Sequence, residues 1–224
     1  MIIERIGYTE GREAMVENVF KNLRWLGHDA FLLRAGGKVV YFDPFQLGSG
    51  LPPADIICVS HEHYDHCSPA DVQMIQQPST LIVAEAQSAA QLKGRIVSLA
   101  PGERCEEQGI TIEAVPAYNT NKQFHLHANR WLGFILTVDG VRLYHAGDTD
   151  YIPEMKDIRA DIALLPVSGT YVMTAEEAAQ AALAIGPKIA VPMHYGAVVG
   201  TDDDAKRFAA LLAGKIRVEI LGRG

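Results

Sequence analysis

Three cysteines in 224 residues, Cys58, Cys67 and Cys105, contain no C-x-x-C pair. An odd, scattered set gives no disulfide framework and suits a reducing cytosol. Lysine and arginine form no run, and the formal net charge is -7. The basic footprint of a nucleic-acid binder is therefore missing. No apolar stretch approaches the length of a membrane span. Met1 to Phe20 mixes Glu4, Arg5, Glu10, Arg12, Glu13 and Glu17 with apolar residues, and lacks the apolar centre of a signal peptide. There is no internal repeat, low-complexity linker or break in composition. The expectation is a cytoplasmic protein with no nucleic-acid or membrane partner, its oligomeric state open and a homo-oligomer included. One domain is expected over residues 23–224, preceded by an N-terminal extension, 1–22, either packed on it or frayed from it.

Short apolar runs bounded by Gly, Pro and Asp predict strands at Ala30-Leu33, Val39-Phe42, Ile56-Val59, Leu81-Val83, Ile110-Val115, Leu132-Val138, Val141-Tyr144, Ile162-Leu165 and Ile189-Val191. Asp139-Gly140 and Gly36-Gly37 read as hairpin turns, because these residues tolerate positive φ. Ser68-Pro69 opens one helix. Thr174 with Glu177 forms a capping box for a second, which Gly186-Pro187 stops. Thr201 caps a third, which runs through Leu212. Strands dominate the early half, and strand and helix alternate later. That pattern predicts sheet packed on sheet with helices outside.

The densest chemistry is His61-Glu62-His63-Tyr64-Asp65-His66, directly after an apolar run. Composition alone would produce His-x-His-x-Asp-His in on the order of one chain in a couple of thousand of this size. Imidazole and carboxylate at this density suit zinc or a similar first-row metal. His61 and His63 are two apart just past a strand, so both rings point the same way if the chain stays extended. Asp148 and His194 follow two further strands. Any one of these residues alone could be a satisfied turn Asp or core His; three strand ends carrying metal-competent groups argue against coincidence.

These residues resemble the metallo-β-lactamase superfamily. His61-x-His63-x-Asp65-His66, then Gly147-Asp148 and a final His194, match its order and spread, from about Trp25 to beyond His194. Asp43, in Tyr41-Phe42-Asp43-Pro44, resembles the family's Asp that supports the metal loop from behind. The resemblance implies an α/β four-layer αββα sandwich of two mixed β-sheets with the site at the sheet edges. It implies two divalent ions, zinc first, with manganese or iron as alternatives. His61 and His63 would hold the first, Asp65, His66 and His194 the second, with Asp148 between them. It also implies a metal-bound hydroxide acting on a small ester, lactone or phosphoester, with Asp65 as catalytic proton shuttle.

One position departs from the family pattern. Asn119 stands where the first metal's third His is expected, and a neutral amide oxygen is a poor zinc ligand beside imidazole. Either His125 loops back to supply that nitrogen, with His127 as second choice, or both line the pocket mouth and the first ion is weakly held. His28 is a substrate contact or a packed strand-edge His, and Tyr195 a substrate contact or a supporting donor. Gly169-Thr170-Tyr171 lines the pocket or is merely a turn, while His145 reads as buried and structural. Trp25-Leu26-Gly27-His28-Asp29-Ala30-Phe31, Tyr144 to Thr149 and Pro192 to Gly196 look most like the L-ascorbate-6-phosphate lactonase-like branch. The competing classes are a phosphodiesterase or nuclease of the same fold, and a metal-binding protein without turnover.

Overall fold

The computed structural model describes residues 2–224, with side chains described from Gly11 onward. In chain order the elements are α1 (Ile2–Lys21), β1 (Leu23–Gly27), β2 (Ala30–Ala35), β3 (Lys38–Phe42), β4 (Ile56–Val59), α2 (Pro69–Ile75), β5 (Leu81–Ala84), α3 (Ala86–Gln91), β6 (Arg95–Ser98), β7 (Arg104–Glu107), β8 (Ile110–Pro116), β9 (Leu132–Val138), β10 (Val141–His145), β11 (Ile162–Pro166), α4 (Ala175–Ile185), β12 (Ile189–Met193), α5 (Asp202–Leu212) and β13 (Arg217–Val218). Strands β1 to β6 form one sheet in that order, and β13 to β7 the other. Both are mixed. The hairpins β1-β2-β3 and β7-β8-β9-β10 are antiparallel, whereas β3-β4-β5-β6 and β10-β11-β12-β13 run parallel.

Side-chain alternation explains the layers. In the first sheet Phe31, Leu33, Val40, Phe42, Ile56, Cys58, Leu81 and Val83 face the second sheet. The intervening Leu32, Tyr41, Ile57, Val59 and Ile82 face outward onto Val72 and Ile75 of α2. On the far side, Ala178, Ala182 and Ile185 of α4 and Phe208 and Leu212 of α5 join the core of the second sheet. The order is thus helix, sheet, sheet, helix, as expected.

All nine expected strands form, with ends extended by up to two residues. The three helix starts hold too: Ser68 accepts from Asp71 N, the Thr174–Glu177 capping box closes, and Asp204 accepts from Thr201 N at 2.7 Å. Several elements were not expected. β1, β6, β7, β13 and α3 lack a clean apolar run; β6 has half-buried Ile96 and Val97 between exposed ends, and β7 alternates exposed and half-buried residues. Of residues 1–22, expected as an extension, Ile2–Lys21 form α1 and Asn22 a turn; Met1 lies outside the described residues. Val16 and Val19 of α1 are buried in the main core, and Arg12 clasps Asp161 through both carboxylate oxygens at 3.0 and 3.1 Å. Among the described residues no helix is long and apolar enough to cross a membrane.

Strand direction places the function-bearing residues. β1, β3, β4, β8, β10, β11 and β12 all end at the same rim, as their pairings require. At that rim Gly147, just past β10, has φ 62°, and an added Cβ would lie 2.6 Å from the Leu132 carbonyl oxygen of neighbouring β9 and 3.2 Å from Ser60 Cβ. Gly147→Ala is expected to cost about 2–4 kcal/mol, combining left-handed strain with overpacking, as measured by denaturant unfolding.

Candidate metal centre

The rim gathers imidazoles and carboxylates from six chain segments. β3 delivers Asp43, and β4 delivers Ser60 and the His61–His66 loop, which Ser68 closes by capping α2. β10 leads to Asp148, β12 to His194, and the β1–β2 turn holds His28 and Asp29. The sixth segment follows β8. Asn119 N donates to the His125 carbonyl at 2.7 Å, and Asn119 bridges to Leu126, so residues 119–126 form a closed loop. His125, at φ 54°, turns back into the rim. Its loop is held by Asp150, which accepts from Thr120 N at 2.8 Å and pairs with Lys122. Of the nine described non-glycine residues with positive φ, His28, Asp43, His125, Tyr171 and His194 all lie at this rim. That concentration marks a place where backbone strain is held by its surroundings.

Ligand-competent atoms fall into three overlapping groups, each within 4.8 Å: His61, His63 and His125; His61, His66 and Asp148; and His28, Asp29, His66 and His194. His61 Nε2 and His63 Nδ1 are 3.0 Å apart. Asp148 lies between the groups: Oδ1 is 3.4 Å from His66 Nε2, while Oδ2 is 3.1 Å from His125 Nε2 and 3.2 Å from His194 Nε2.

The hydrogen bonds behind these rings fix which nitrogen offers a lone pair. Ser60 Oγ donates to Asp43 Oδ2 at 2.6 Å, so toward His61 its oxygen accepts, and Nδ1–H of His61 donates at 2.9 Å. Nδ1–H of His66 donates to Asp43 Oδ2 at 2.9 Å. Nδ1–H of His125 donates to the Tyr171 carbonyl at 3.0 Å. Ser168 Oγ donates to the Thr170 carbonyl and accepts from Nδ1 of His194 at 2.9 Å. In each ring Nε2 is left facing the centre. His66 Nε2, His125 Nε2, Asp148 Oδ1 and both Asp29 oxygens are buried without a hydrogen-bond partner. Buried polar atoms left unpaired are costly, and converging donors of this kind fit divalent cations.

The charges divide the centre in two. Burial drives His61 well below the ordinary imidazole value and lowers His63 as well. Burial also acts against charge on His66 and His194, but Asp148 beside each overrides it, with help from Asp43 at His66 and Asp29 at His194, and both are raised. Asp148 is held well below the carboxylate range despite its burial, by His194 and His66. Burial without a donor pushes Asp29 well above that range.

The structure brings His61, His63, His66, Asp148, His194 and His125 together. Asp65, expected as a ligand of the second metal and as proton shuttle, lines the cavity beside these residues, outside the three groups, with its Oδ2 engaged by His28 Nε2 at 3.2 Å. That bond and the charge of His66 overcome burial and keep its carboxyl low. His28 is not a cavity-wall residue. It is 1% exposed behind Asp65, and its carbonyl accepts from Trp25 Nε1 and His194 N. Tyr195 is likewise buried, stacked on Trp25 with centroids 4.8 Å apart, and makes no part of the cavity wall. Asn119 braces the His125 loop, donating to the carbonyls of Phe124 and Tyr171 at 3.0 and 2.6 Å. His127 packs edge-on against Tyr118, outside all three groups. His145 is fully buried, stacked on Phe42, and donates to the Asp29 carbonyl at 2.9 Å. Sequence reasoning missed Asp29, whose only signal was an Asp wedged between two apolar strands.

A cavity of about 410 Å³ opens onto His63, Asp65, His125, Asp148 and His194, with Tyr64, Phe124, Tyr171, Val198 and Val199 as its other walls. No lysine or arginine is among its lining residues.

A model of the beta-lactamase superfamily domain matches residues 22–194. The chain belongs to the metallo-β-lactamase superfamily. A UPF0173 metal-dependent hydrolase from Thermoplasma acidophilum is 35% identical over 201 residues, covering 84% of this chain and 88% of its own length. A crystal structure from Parabacteroides distasonis, described as that of a metal-dependent hydrolase, is 37% identical with a TM-score of 0.81, covering 89% of this chain and 91% of that one. Igni18, a metallo hydrolase from Ignicoccus hospitalis, shares the fold at TM-score 0.73 and 23% identity, covering 90% and 95%.

The raised pKa values of His66 and His194 mean that a metal entering their end displaces protons still held above the ordinary imidazole value. Affinity there is expected to rise with pH through the neutral range, with proton release. At the His61–His63 end, where the shift is downward, little change is expected. Calorimetric titration with zinc in buffers of differing ionisation enthalpy counts the protons.

Proposed function

We propose that this protein is a metal-dependent hydrolase of small uncharged esters or lactones, and that it holds two divalent ions, zinc foremost. The observation that carries this reading is the set of buried, unpartnered donor atoms beside a cavity with apolar walls and no cationic side chain. His61, His63 and His125 would hold one ion. His66 and His194 would contribute to the other, with Asp148 between them. Bound there, the ions supply Lewis acidity and bring the pKa of water near neutrality.

The chain's own residues do the rest. Asp65 faces the cavity as a carboxylate, held by His28, and can take a proton from water and return it to the leaving group. Tyr64, Phe124, Tyr171, Val198 and Val199 present apolar surface to an acyl chain or lactone ring. A phosphodiester would bring an anion that no lysine or arginine here balances: Lys122 is paired with Asp150, and Arg130 is exposed and not part of the wall. The lactonase-like sequence cues around Trp25 and Tyr144 point the same way. His125, beside His61 and His63, supports an active centre over a binding protein without turnover.

Assay of zinc-, manganese- and iron-loaded protein against aliphatic esters, lactones and bis-aryl phosphodiesters tests the reading. Turnover is expected on the first two classes. His61→Ala and Asp148→Asn are expected to lower it at least roughly a thousandfold with the fold retained. Near-normal turnover in metal-depleted protein would overturn the reading. His125→Ala is expected to lose one equivalent of metal by elemental analysis.

A further inference from the structure

We infer that Phe124 and Tyr171 are specificity-determining residues, selecting esters and lactones that carry a straight apolar acyl tail over short ones. The inference deepens the ester and lactone reading above and rests on it. Nine large apolar side chains are exposed among the described residues. Four of them, Tyr64, Phe124, Tyr171 and Val198, line the cavity at the metal centre. A fifth, Leu126, lies two residues past Phe124. Single exposed apolar groups need no explanation, whereas a cluster of them at the mouth of a cavity marks a contact for an apolar ligand.

Four loops build the cluster. Tyr64 follows β4, Phe124 follows β8, Tyr171 follows β11 and Val198 follows β12. Phe124 and Tyr171 pack edge-on with ring centroids 4.8 Å apart, and Tyr64 rests edge-on against Phe45 at 5.8 Å. Gly196 N donates to the Gly200 carbonyl at 3.3 Å, which closes the short loop carrying Val198 and Val199. The Phe124–Tyr171 pair is also fixed from behind. Asn119 Nδ2 donates to both of their carbonyls, at 3.0 and 2.6 Å, and His125 Nδ1 donates to the Tyr171 carbonyl at 3.0 Å. Asn119 is buried and lies outside the cavity wall. It therefore acts on the apolar wall as a positioning residue, through the same hydrogen bonds that brace the His125 loop.

The occupant that fits this wall is the substrate's own tail. The exposed apolar surface is continuous with the cavity, and no lysine or arginine lines it, so a path without fixed cationic charge leads outward from the reacting atoms. Tyr64 precedes Asp65, which returns a proton to the leaving oxygen, whereas Phe124 precedes His125. The leaving group is therefore assigned to the Tyr64 side and the acyl tail to the Phe124–Tyr171 side. In the reaction water adds to the acyl carbon, the acyl C–O bond breaks, a proton passes to the leaving oxygen, and the carboxylic acid formed ionises. Each methylene of the tail gains by leaving water. Full burial of one corresponds to about fourfold in affinity, and burial on one side to about twofold.

The test uses the full chain loaded with zinc and straight-chain p-nitrophenyl esters from acetyl to decanoyl. Calorimetric binding of the matching carboxylates, acetate to decanoate, gives a readout independent of turnover. In wild type, kcat/KM and carboxylate affinity are expected to rise about two- to fourfold per methylene. Phe124→Ala and Tyr171→Ala are expected to lower the decanoyl-to-acetyl ratio of kcat/KM about tenfold, and Tyr171→Phe to keep it. Asn119→Ala is expected to lower it too, although it removes no part of the wall; an unchanged ratio there would overturn the positioning role. Phe124 and Tyr171 are 53% and 42% exposed, so their truncation spares the core, and thermal unfolding checks the fold. Metal content should stay at the wild-type level in both Ala variants. A flat series in wild type, or a ratio unchanged in both Ala variants, overturns the inference. So does a loss of metal that accompanies the lowered ratio, because the effect then belongs to the centre. Self-association that both Ala variants abolish, with a flat series, would assign the wall to a second copy of the chain. Absence of turnover on every ester and lactone in fully loaded protein would sink the hydrolase reading instead, and carboxylate binding would still report on the wall.

Discussion

The carboxylate of Asp43 is the constraint on which the centre depends. It accepts from Ser60 N at 2.7 Å, from Ser60 Oγ at 2.6 Å and from His66 Nδ1 at 2.9 Å. Through the serine it fixes the tautomer of His61, and directly it fixes that of His66. One buried acceptor therefore orients rings that serve different groups of ligands, and it does so from the end of the neighbouring strand. Removing it would leave each ring free to turn its lone pair away and would strand the hydroxyl of Ser60. The positive φ of Asp43, 39°, is the conformational cost of bringing a strand-end carboxylate under the loop it supports.

Much of the architecture was legible because it is local. Alternating apolar runs, two Gly-containing hairpin turns and three capped helix starts each specify structure within a few residues. The elements that escaped were those whose stability comes from elsewhere. β6 and β7 have charged faces and hold together through partners, including the Arg95–Glu107 pair at 2.8 Å that joins one strand to the other. α1 is bound to the body through Arg12 and Asp161, 149 residues apart in sequence.

The centre divides in the same way. His61, His63, His66, Asp148 and His194 announce themselves by spacing and by position at strand ends. The sequence left His125, His127 and a mere pocket-mouth role open, and the structure brings His125, not His127, beside His61 and His63. The amide of Asn119 cross-braces the loop that carries the His, so the departure from the family pattern is also part of the support. Asp65 was read from its motif, whereas Asp29 gave no comparable signal. Both are turn aspartates, and their difference lies in burial and in which one His28 reaches. Those are properties of the assembled rim.

The order of the chain adds a constraint in time. The His61–His66 loop is made about 130 residues before His194, and the outer edge of β1 pairs with Arg223 and Gly224. At synthesis rates of about 5–20 residues per second, the imidazoles of that loop wait roughly 6–26 s for the remaining ligands. A metal meeting the loop in that interval would find an open set of imidazoles, where selection follows availability and the Irving–Williams order more than geometry. The ion a finished molecule carried would then depend partly on what the translating cell lets the unfinished loop meet.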